Sequence, residues 1–328
     1  MSAISKPAAA TGERGWTQRD IPDQSGRTVV VTGANSGLGY LTALHLAEHG
    51  ARVIMTARDL EKGRRAHAAV VASRPKGNAE LRQLDLADLD QVKAFADRLL
   101  HENGSLDLLV NNAGVMMPPR SLTRQGHELQ FGVNHLAHFA LTGLLLPLLR
   151  RARDSRVVTL SSDLHKRGRI HFDDLTGSRK YGRIAYYAQS KFANTLFALE
   201  LDRRLRAAGW PVSSLLAHPG YAATNLQTSG PSGVLKLFMR IGNRFFAQPA
   251  EMGVLPQLYA ATAPEFASGQ FFGPDGPKET KGYPTLVEPA EAARDVALAE
   301  HLWQVSEELT GVRVDFSTPS AASMKRAP

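Results

Sequence analysis

The chain has 328 residues, of which 43% are hydrophobic and 21% charged, so it is long enough to fold around its own core. It has no cysteine, which excludes a disulfide scaffold, a thiolate metal site and a cysteine nucleophile, and fits a reducing, cytoplasmic compartment. Its 39 basic and 31 acidic residues give a net charge of +8 in scattered clusters. We therefore expect solvated helix ends and an anionic cofactor, not a nucleic acid.

Two segments could be mistaken for targeting or membrane signals. Residues 1–24 lack the apolar stretch of a signal peptide and are predicted to form a disordered or loosely attached tail. The most apolar stretch, Phe139–Leu149, is too short to cross a bilayer and is interrupted by Thr142, Gly143 and Pro147. We therefore expect a buried helix and no transmembrane segment.

Short β-branched runs alternate with helical patterns through most of the chain. The predicted strands are Arg27–Val31, Arg52–Thr56, Glu80–Leu84, Leu106–Val110, Arg156–Leu160 and Val212–Ala217. The predicted helices are Gly37–His49, Leu60–Ser73, Leu89–Glu102, Gly126–Leu148 and Tyr186–Ala208. This alternation predicts an α/β fold with a doubly wound parallel sheet of Rossmann type, forming a single domain over residues 25–328.

The alternation stops after residue 220. A helix is predicted over Pro249–Ala260, a Gly/Pro-rich segment over Ser268–Pro284 and a last helix over Pro289–Leu309. The segment Val234–Phe246 is more apolar than an exposed connection tolerates. Residues 227–285 are therefore predicted to form a small helical cap with loops on the substrate side.

The first predicted strand leads into the segment TGANSGLG and then into a helix. Glycines let the backbone approach a pyrophosphate, and the helix N-terminus supplies N–H donors. The spacing differs from the best-known dinucleotide fingerprint, so a connection without a ligand stays open. The predicted cofactor contacts here are Gly33, Asn35, Ser36, Gly37, Leu38 and Gly39.

Arg58 lies at the end of the second predicted strand, in the run Thr56-Ala57-Arg58. At this place an acidic residue would bind a ribose 2′-hydroxyl and a basic residue a 2′-phosphate. A guanidinium matches phosphate geometry, which favours NADP(H). NAD(H) stays open because Asp59 follows at once, and a surface or capping arginine is the structural alternative.

The ends of the third and fourth predicted strands carry further candidate cofactor contacts. Asp85 is placed to accept a hydrogen bond from an adenine amino group, and Leu86 to pack beside the ring. Asn112, Ala113 and Gly114 close the fourth strand, at the edge where open α/β sheets bind ligands. The alternative is a simple turn.

A tyrosine and a lysine form the candidate catalytic pair. Tyr187 and Lys191 lie four residues apart on a predicted helix and so share a face. A cation close to a phenol lowers its pKa, which suits proton exchange with an alcohol or carbonyl oxygen. Pairs with this spacing are common and usually structural. Ser161 or Ser162, at the end of the fifth strand, could donate to the reacting oxygen.

Two polar positions lie near this pair in the predicted fold. Asn134 lies inside a long helix, where asparagine is a poor helix former, and predicts a kink with a bound water. After the sixth strand, Pro219, Gly220 and Thr224 could hold the nicotinamide amide and a phosphate.

Eleven histidines raise the question of a metal site. His135 and His138 share a helix face, but neither has a carboxylate partner nearby in the sequence. They are predicted to be packing residues, and no metal site is predicted.

Together these motifs resemble the short-chain dehydrogenase/reductase family, and more narrowly its retinol-dehydrogenase-like branch. The segments that carry the resemblance are TGANSGLG, NNAGVMMPP, FGVNHLAHFALTGLLLPLL, VVTLSS, YYAQSK and LLAHPG. It is dense over residues 25–220 and looser over Gln270–Asp315. The resemblance implies that Tyr187 is the acid/base, that Lys191 is its pKa partner and binds ribose, that Ser162 positions the substrate oxygen and that Asn134 anchors a proton-relay water.

The sequence thus predicts an NADP(H)-dependent oxidoreductase that moves hydride to or from a carbonyl or alcohol carbon. Met116 to Pro119 and Val234–Phe246 offer apolar walls, which predicts a hydrophobic substrate. Alternatively, Val234–Phe246 covers the core or docks a second subunit. A double-bond reductase and a non-catalytic cofactor-binding regulator are the other functions considered.

The resemblance implies a homodimer or homotetramer through helices Leu89–Glu102 and Gly126–Leu148.

Overall fold

The computed structural model describes residues 15–221 and 248–317. Its centre is an eight-stranded sheet in the order β3-β2-β1-β4-β5-β6-β7-β8. The strands are β1 Thr28–Val31, β2 Arg52–Ala57, β3 Asn78–Gln83, β4 Leu108–Asn111, β5 Ser155–Leu160, β6 Val212–Ala217, β7 Phe271–Pro274 and β8 Pro284–Leu286. The helices are α1 Gly37–Glu48, α2 Leu60–Ala72, α3 Leu89–Glu102, α4 Leu129–Leu149, α5 Arg183–Ala207, α6 Ala250–Gly253, α7 Leu255–Thr262 and α8 Val296–Thr310.

Helices cover both faces of the sheet, which confirms the predicted doubly wound fold. In β1 the side chain of Val30 belongs to one core, while Val29 and Val31 belong to the other. The first core is completed by α3, α4 and α5, and the second by α1, α2 and α7. Because both faces are buried, β1 is continuously apolar and not alternating.

The predicted cap is partly wrong, because its described part extends the sheet. β7 continues the parallel sheet beside β6, and β8 pairs antiparallel to β7 at the edge. Phe271 and Phe272 are both buried, but their short run lies among glycines and prolines, which hid the strand. Pro284 is tolerated because β8 is an edge strand. Residues 222–247, including Val234–Phe246 and Thr224, lie outside the described part.

The predicted N-terminal tail is also partly wrong. Ile21 and Gln24 are buried, and the Trp16 ring meets the Tyr259 ring edge-on with centroids 5.2 Å apart. Residues 15–24 therefore pack against the domain, because their apolar side chains find partners on α7.

Helix α4 contains one irregular turn where the sequence predicted a kink. Residues Gly132–Leu136 form a π-helical turn around Asn134, a widening of the helix that often marks functional sites. By length and composition Leu129–Leu149 could cross a membrane, but 83% of its most apolar window is buried inside the protein. This is the behaviour of a core helix.

Candidate active site

The candidate site lies where the strand order reverses. β1 and β4 are neighbours at the centre of the sheet although they are distant in sequence. Their carboxyl ends bring the loop after β1 beside the loop after β4. In open α/β sheets a crevice at this position binds ligands.

The glycine loop after β1 lies against the loop after β4. Gly33 has φ +65°, and a Cβ there would lie 2.9 Å from the Cβ of Ala113. A Cβ on Gly39 would lie 2.4 Å from Nδ2 of Asn112. Only glycine fits at these two positions, so the close approach that the sequence predicted is present in the fold.

The same loop leaves the N-terminus of α1 open to an anion. The Ser36 side chain makes no capping hydrogen bond, and the first turn of α1 holds no acidic residue. The free N–H groups and the positive end of the helix dipole therefore suit a pyrophosphate. Gly37 has φ +55° and Gly39 is buried in the helix start. These residues fit a dinucleotide cofactor.

Thr32 locks the two loops together, a role that the sequence analysis missed. Its Oγ1 accepts hydrogen bonds from the backbone N–H groups of Asn112 and Ala113, both at 2.9 Å. Asn112 Nδ2 donates to the Thr32 carbonyl at 2.8 Å. The residue is the first of the TGANSGLG segment, but only the sheet order places it beside the fourth strand.

His138 connects Thr32 to the irregular turn of α4. Its Nδ1 lies 3.0 Å from the carbonyl oxygen of Asn134, and its Nε2 lies 2.9 Å from the Thr32 hydroxyl. A carbonyl only accepts, so Nδ1 carries the proton and Nε2 accepts from Thr32. Burial lowers the pKa of His138 to about 4, which keeps the ring neutral.

His135 and the remaining titratable groups form no metal site in the described ranges. His135 Nε2 lies 2.8 Å from Ser306 Oγ, and burial lowers the pKa of His135 to about 3. Among residues 15–221 and 248–317, no group of three or more histidine, aspartate or glutamate side chains could hold a metal ion.

Ser162, and not Ser161, stands beside the tyrosine. Ser162 lies two residues beyond the end of β5, and its side chain is close enough to the Tyr187 phenol to influence the pKa of that group. Its Oγ also accepts from the Leu164 N–H at 3.3 Å, so it caps the short helical turn Asp163–Arg167. Ser161 faces the interior, where its Oγ donates to the Lys191 carbonyl at 3.0 Å.

The tyrosine and the lysine are buried side by side on α5. Tyr187 is 5% exposed and Lys191 4%, and the ammonium lies 5.9 Å from the centre of the Tyr187 ring. Burial raises the pKa of Tyr187 to about 12, and the neighbouring Ser162 side chain opposes this rise. The pKa of the phenol is therefore raised and not lowered as the sequence analysis predicted, because burial disfavours the phenolate. Lys191 Nζ donates to the Leu160 carbonyl at 3.1 Å.

Asn134 fixes the chain after β4 with its side chain. Its Oδ1 accepts from the Val115 N–H at 2.7 Å, and its Nδ2 donates to the Val115 carbonyl at 3.0 Å. Nδ2 also lies 2.9 Å from Ser190 Oγ. A Cβ on Gly114 would lie 3.2 Å from Asn134 Oδ1 and 3.8 Å from Lys191 Nζ. Gly114 therefore keeps the space above these side chains clear.

The residues predicted to read the adenosine half lie at the ends of β2 and β3. Arg58 is exposed, and its guanidinium makes no hydrogen bond or ion pair with any described residue. Asp59 caps α2, since its Oδ1 accepts from the Lys62 N–H at 3.1 Å, and this bond lowers the pKa of Asp59. Asp85 Oδ1 accepts from the Ala87 N–H at 2.9 Å, and Leu86 is buried.

The loop after β6 is braced by the C-terminal part of the chain. Gly220 has φ +61°, and a Cβ there would lie 2.5 Å from the Thr280 carbonyl oxygen. The Pro219 carbonyl accepts from Gln248 Nε2 at 2.8 Å. His218 Nε2 lies 3.1 Å from Glu279 Oε2. The sequence analysis did not single out Glu279, which no motif marks.

An apolar wall stands beside the tyrosine. Met116 and Met117 are each 7% exposed and form a cluster with Tyr187 and Leu164. Met117 has φ +54°, and its N–H donates to Gln130 Oε1 at 2.8 Å. The sequence analysis missed Gln130, which lies thirteen residues away from Met117 and meets it only in the folded chain.

Comparisons with known proteins show which family the chain resembles in sequence. A family model described as short chain dehydrogenase matches residues 27–233. Human retinol dehydrogenase 13 is 42% identical over 293 residues, covering 88% of this chain and 85% of that protein. Human retinol dehydrogenase 14 is 42% identical over 304 residues, covering 88% and 87%.

Solved structures show the same fold. An uncharacterised protein from Mycobacterium paratuberculosis is 43% identical with a TM-score of 0.77, covering 92% of this chain and 100% of its own. A protein from Beutenbergia cavernae, described as an NAD(P) dependent gluconate 5-dehydrogenase with NADP bound at low occupancy, is 28% identical with a TM-score of 0.59. It covers 76% of this chain and 95% of its own.

The fold and the matched segment define an oxidoreductase of the short-chain dehydrogenase family, to which this chain belongs. Within the family it is retinol-dehydrogenase-like, as the sequence motifs indicated. The class acts on alcohol and carbonyl groups.

Proposed function

We propose that the protein is an NADP(H)-dependent oxidoreductase that moves hydride between the nicotinamide and the carbonyl or alcohol carbon of a hydrophobic small molecule. The observation that carries this proposal is the buried pair of Tyr187 and Lys191 on α5, whose ammonium lies 5.9 Å from the centre of the phenol ring. Tyr187 and Lys191 lie at the crevice next to the glycine loop, where a nicotinamide would bind.

The chain's own residues handle the proton and the alignment. The bound cofactor supplies or accepts the hydride. Tyr187 is protonated at neutral pH, because burial raises its pKa to about 12, and it would donate that proton to the substrate oxygen during reduction. During oxidation Tyr187 would first release its proton to the relay water, and the phenolate would then take the proton of the alcohol. Ser162 donates a hydrogen bond to the same oxygen. Lys191 holds the ribose, and the Asn134 carbonyl holds a water that returns the proton.

The remaining cofactor contacts follow from the loops described above. The start of α1 and the glycine loop would hold the pyrophosphate. Asn112, Ala113 and Gly114 on one side and Pro219 and Gly220 on the other would contact the ribose and the nicotinamide. Asp85 and Leu86 would hold the adenine, and Thr224 is proposed from the sequence alone.

Arg58 supports the preference for NADP(H) over NAD(H). Its guanidinium is exposed at the end of β2 and has no partner in the described part of the chain. Asp59, the rival that would favour NAD(H), already caps α2 through the Lys62 N–H. A carboxylate held at a helix start is poorly placed to turn toward a 2′-hydroxyl.

The wall of Met116 and Met117 supports a hydrophobic substrate. Methionines adapt to bulky apolar shapes, and these two belong to one buried cluster with Tyr187. The named relatives are retinol dehydrogenases, which fits a substrate of lipid, terpenoid, steroid or polyketide type. A cytoplasmic location is proposed as well, on the basis of the cysteine-free chain and the burial of the apolar helix α4.

The test is oxidation of NADPH with aldehydes of increasing chain length, together with ketones and enones. Each further buried methylene should stabilise the bound transition state by up to about 0.8 kcal/mol, and kcat/KM should rise accordingly until the pocket is full. Tyr187→Phe should retain NADPH binding and lose turnover, because only the proton-transferring oxygen is removed. Turnover of enones alone would identify a double-bond reductase, and NADPH binding without any turnover a regulator.

A further inference from the structure

A carboxylate behind the site joins its two sides. Glu279 Oε1 accepts a hydrogen bond from Lys166 Nζ at 2.8 Å, and Glu279 Oε2 lies 3.1 Å from His218 Nε2. Lys166 belongs to the turn Asp163–Arg167 that Ser162 caps. His218 begins the loop that continues into Pro219 and Gly220. One side chain thus connects the substrate-side turn to the cofactor-side loop.

The backbone around Glu279 and the residues that contact its His218 partner leave little freedom for this side chain to be placed elsewhere. Lys278 and Glu279 have φ +53° and +56°, a left-handed conformation that residues other than glycine seldom adopt. His218 is buried, and a Cβ on Gly273 would lie 2.2 Å from its Nε2, so β7 needs glycine opposite the imidazole. The hydrogen bond with His218 is the main cause that lowers the pKa of Glu279 to about 2.

The same C-terminal segment contacts each side of the site a second time. On the cofactor side, the Tyr221 N–H donates to the Thr280 carbonyl at 2.8 Å. On the substrate side, the Ala290 N–H donates to His165 Nε2 at 3.0 Å, while His165 Nδ1 lies 2.7 Å from the Ser162 carbonyl. The backbone of Ser162 and the loop after β6 are therefore held by one stretch of chain.

We propose that Glu279 is a positioning residue for hydride transfer. It fixes the distance between the turn that Ser162 caps and the loop proposed to bind the nicotinamide. This distance aligns the substrate with the cofactor for hydride transfer. This inference rests on the proposed function, which assigns Ser162 and Pro219–Gly220 to substrate and cofactor.

The experiment compares Glu279→Gln, Lys166→Met and the double variant with a matched control. Glu288→Gln makes the same charge change on the same segment, at a side chain that is 81% exposed and paired with Arg294. For each protein the NADPH dissociation constant is measured by titration, kcat by carbonyl reduction, and Tm by thermal unfolding.

We expect Glu279→Gln to weaken NADPH binding about fivefold and to lower kcat about tenfold, the range expected when a typical intramolecular hydrogen bond is lost. Lys166→Met should lower kcat and leave NADPH affinity unchanged, because it releases only the Ser162 side. The double variant should match Glu279→Gln, since both substitutions break the same link. Glu288→Gln should behave as the wild type.

Three results would overturn the proposal. The first is a Glu279→Gln protein whose NADPH dissociation constant and kcat both stay within twofold of the wild type. The others are losses that add fully in the double variant, or a loss in Glu288→Gln equal to that in Glu279→Gln. If Glu279→Gln does not fold, the split between kcat and NADPH affinity in Lys166→Met decides, and an unchanged kcat there overturns the proposal. NADPH titration needs no turnover. A wild type that binds NADPH and reduces no carbonyl therefore contradicts the proposed function, while the affinity change still tests Glu279.

Discussion

Burial displaces the pKa values of Tyr187 and Lys191 in opposite directions. It disfavours the charged form of each group, so the pKa of the phenol rises to about 12 and that of the ammonium falls to about 8. The lysine donates to the Leu160 carbonyl, and no carboxylate within residues 15–221 and 248–317 forms an ion pair with it. We infer that the protein retains a costly buried cation because the proposed chemistry uses it.

The first prediction concerns the stability of the ligand-free protein. Between pH 8 and 10.5 the unfolded chain binds the Lys191 proton and the folded chain does not, so this group's contribution to stability increases with pH in that window and is most unfavourable below pH 8. Lys191→Met should therefore raise the free energy of unfolding at pH 7 by on the order of 1 to 3 kcal/mol. Asn194 Nδ2 still donates to the Leu160 carbonyl at 3.0 Å.

Denaturant unfolding at pH 7 and pH 10 measures this effect, with Lys62→Met, at a side chain that is 65% exposed, as the control. The advantage of Lys191→Met should shrink at the higher pH, and its turnover should be lost at both. A Lys191→Met protein less stable than the wild type at pH 7 would show that the buried ammonium is not a net cost.

A second prediction concerns Arg58 and the choice of cofactor. Arg58→Ala should reduce the preference for NADPH over NADH by about 1 to 3 kcal/mol, because a charge-assisted contact to the 2′-phosphate is lost. Titration of both cofactors measures the ratio, and Arg65→Ala, another exposed arginine nearby on α2, is the control. An unchanged ratio in Arg58→Ala would remove Arg58 from the site.

At the scale of elements, the apolar wall depends on a buried polar network. Gln130 is fully buried; its Nε2 donates to the Tyr181 hydroxyl at 2.9 Å, and that hydroxyl donates to the Pro118 carbonyl at 3.0 Å. With the bond from Met117 to Gln130, this network holds Met117 in its left-handed conformation. The start of α4 thereby shapes the wall over Tyr187.

We expect Tyr181→Phe to lower kcat/KM about fivefold for the longest aldehydes and to leave the shortest within twofold, because only long substrates need the wall in place. The chain-length series measures the change, and the Tm shows whether the fold is kept. Equal losses of kcat/KM for every chain length would mean that the network supports catalysis in general and not the preference for long substrates.

At the scale of the whole molecule, the C-terminal segment closes the first core. Phe316 contacts the rings of Trp210 and Trp303 with centroids 5.4 and 5.8 Å away, and the Arg204 guanidinium lies over Trp303. Val312 and Val314 cover Gly143 of α4. The helix α4 that the family resemblance offered as a dimer face is thus largely covered by its own chain.

Phe316→Ala should lower the free energy of unfolding by about 2 kcal/mol, since a half-buried aromatic side chain leaves its partners without contacts. Thermal unfolding measures the loss, and Arg313→Ala, an exposed neighbour, should change little. If the C-terminal segment does not pack as described, the two variants will have the same Tm.

The sequence by itself determined the sheet through β6, the glycine loop and the tyrosine–lysine pair. These features are local: strand and helix periodicities span a few residues, Tyr187 and Lys191 share one helix face, and the glycines act on their own backbone. The irregular turn of α4 was also foreseen at Asn134, because the residue is a poor helix former. Each of these inferences needs only neighbours in the chain.

Only the tertiary structure showed that Ser161 faces the interior while Ser162 lies near Tyr187, added β7 and β8, and revealed Thr32, Gln130 and Glu279. The reason is that each depends on partners far along the chain. Glu279 meets Lys166 across 113 residues and Thr32 meets Asn112 across 80. The direction of the pKa shift of Tyr187 was likewise set by burial, which no spacing in the sequence records.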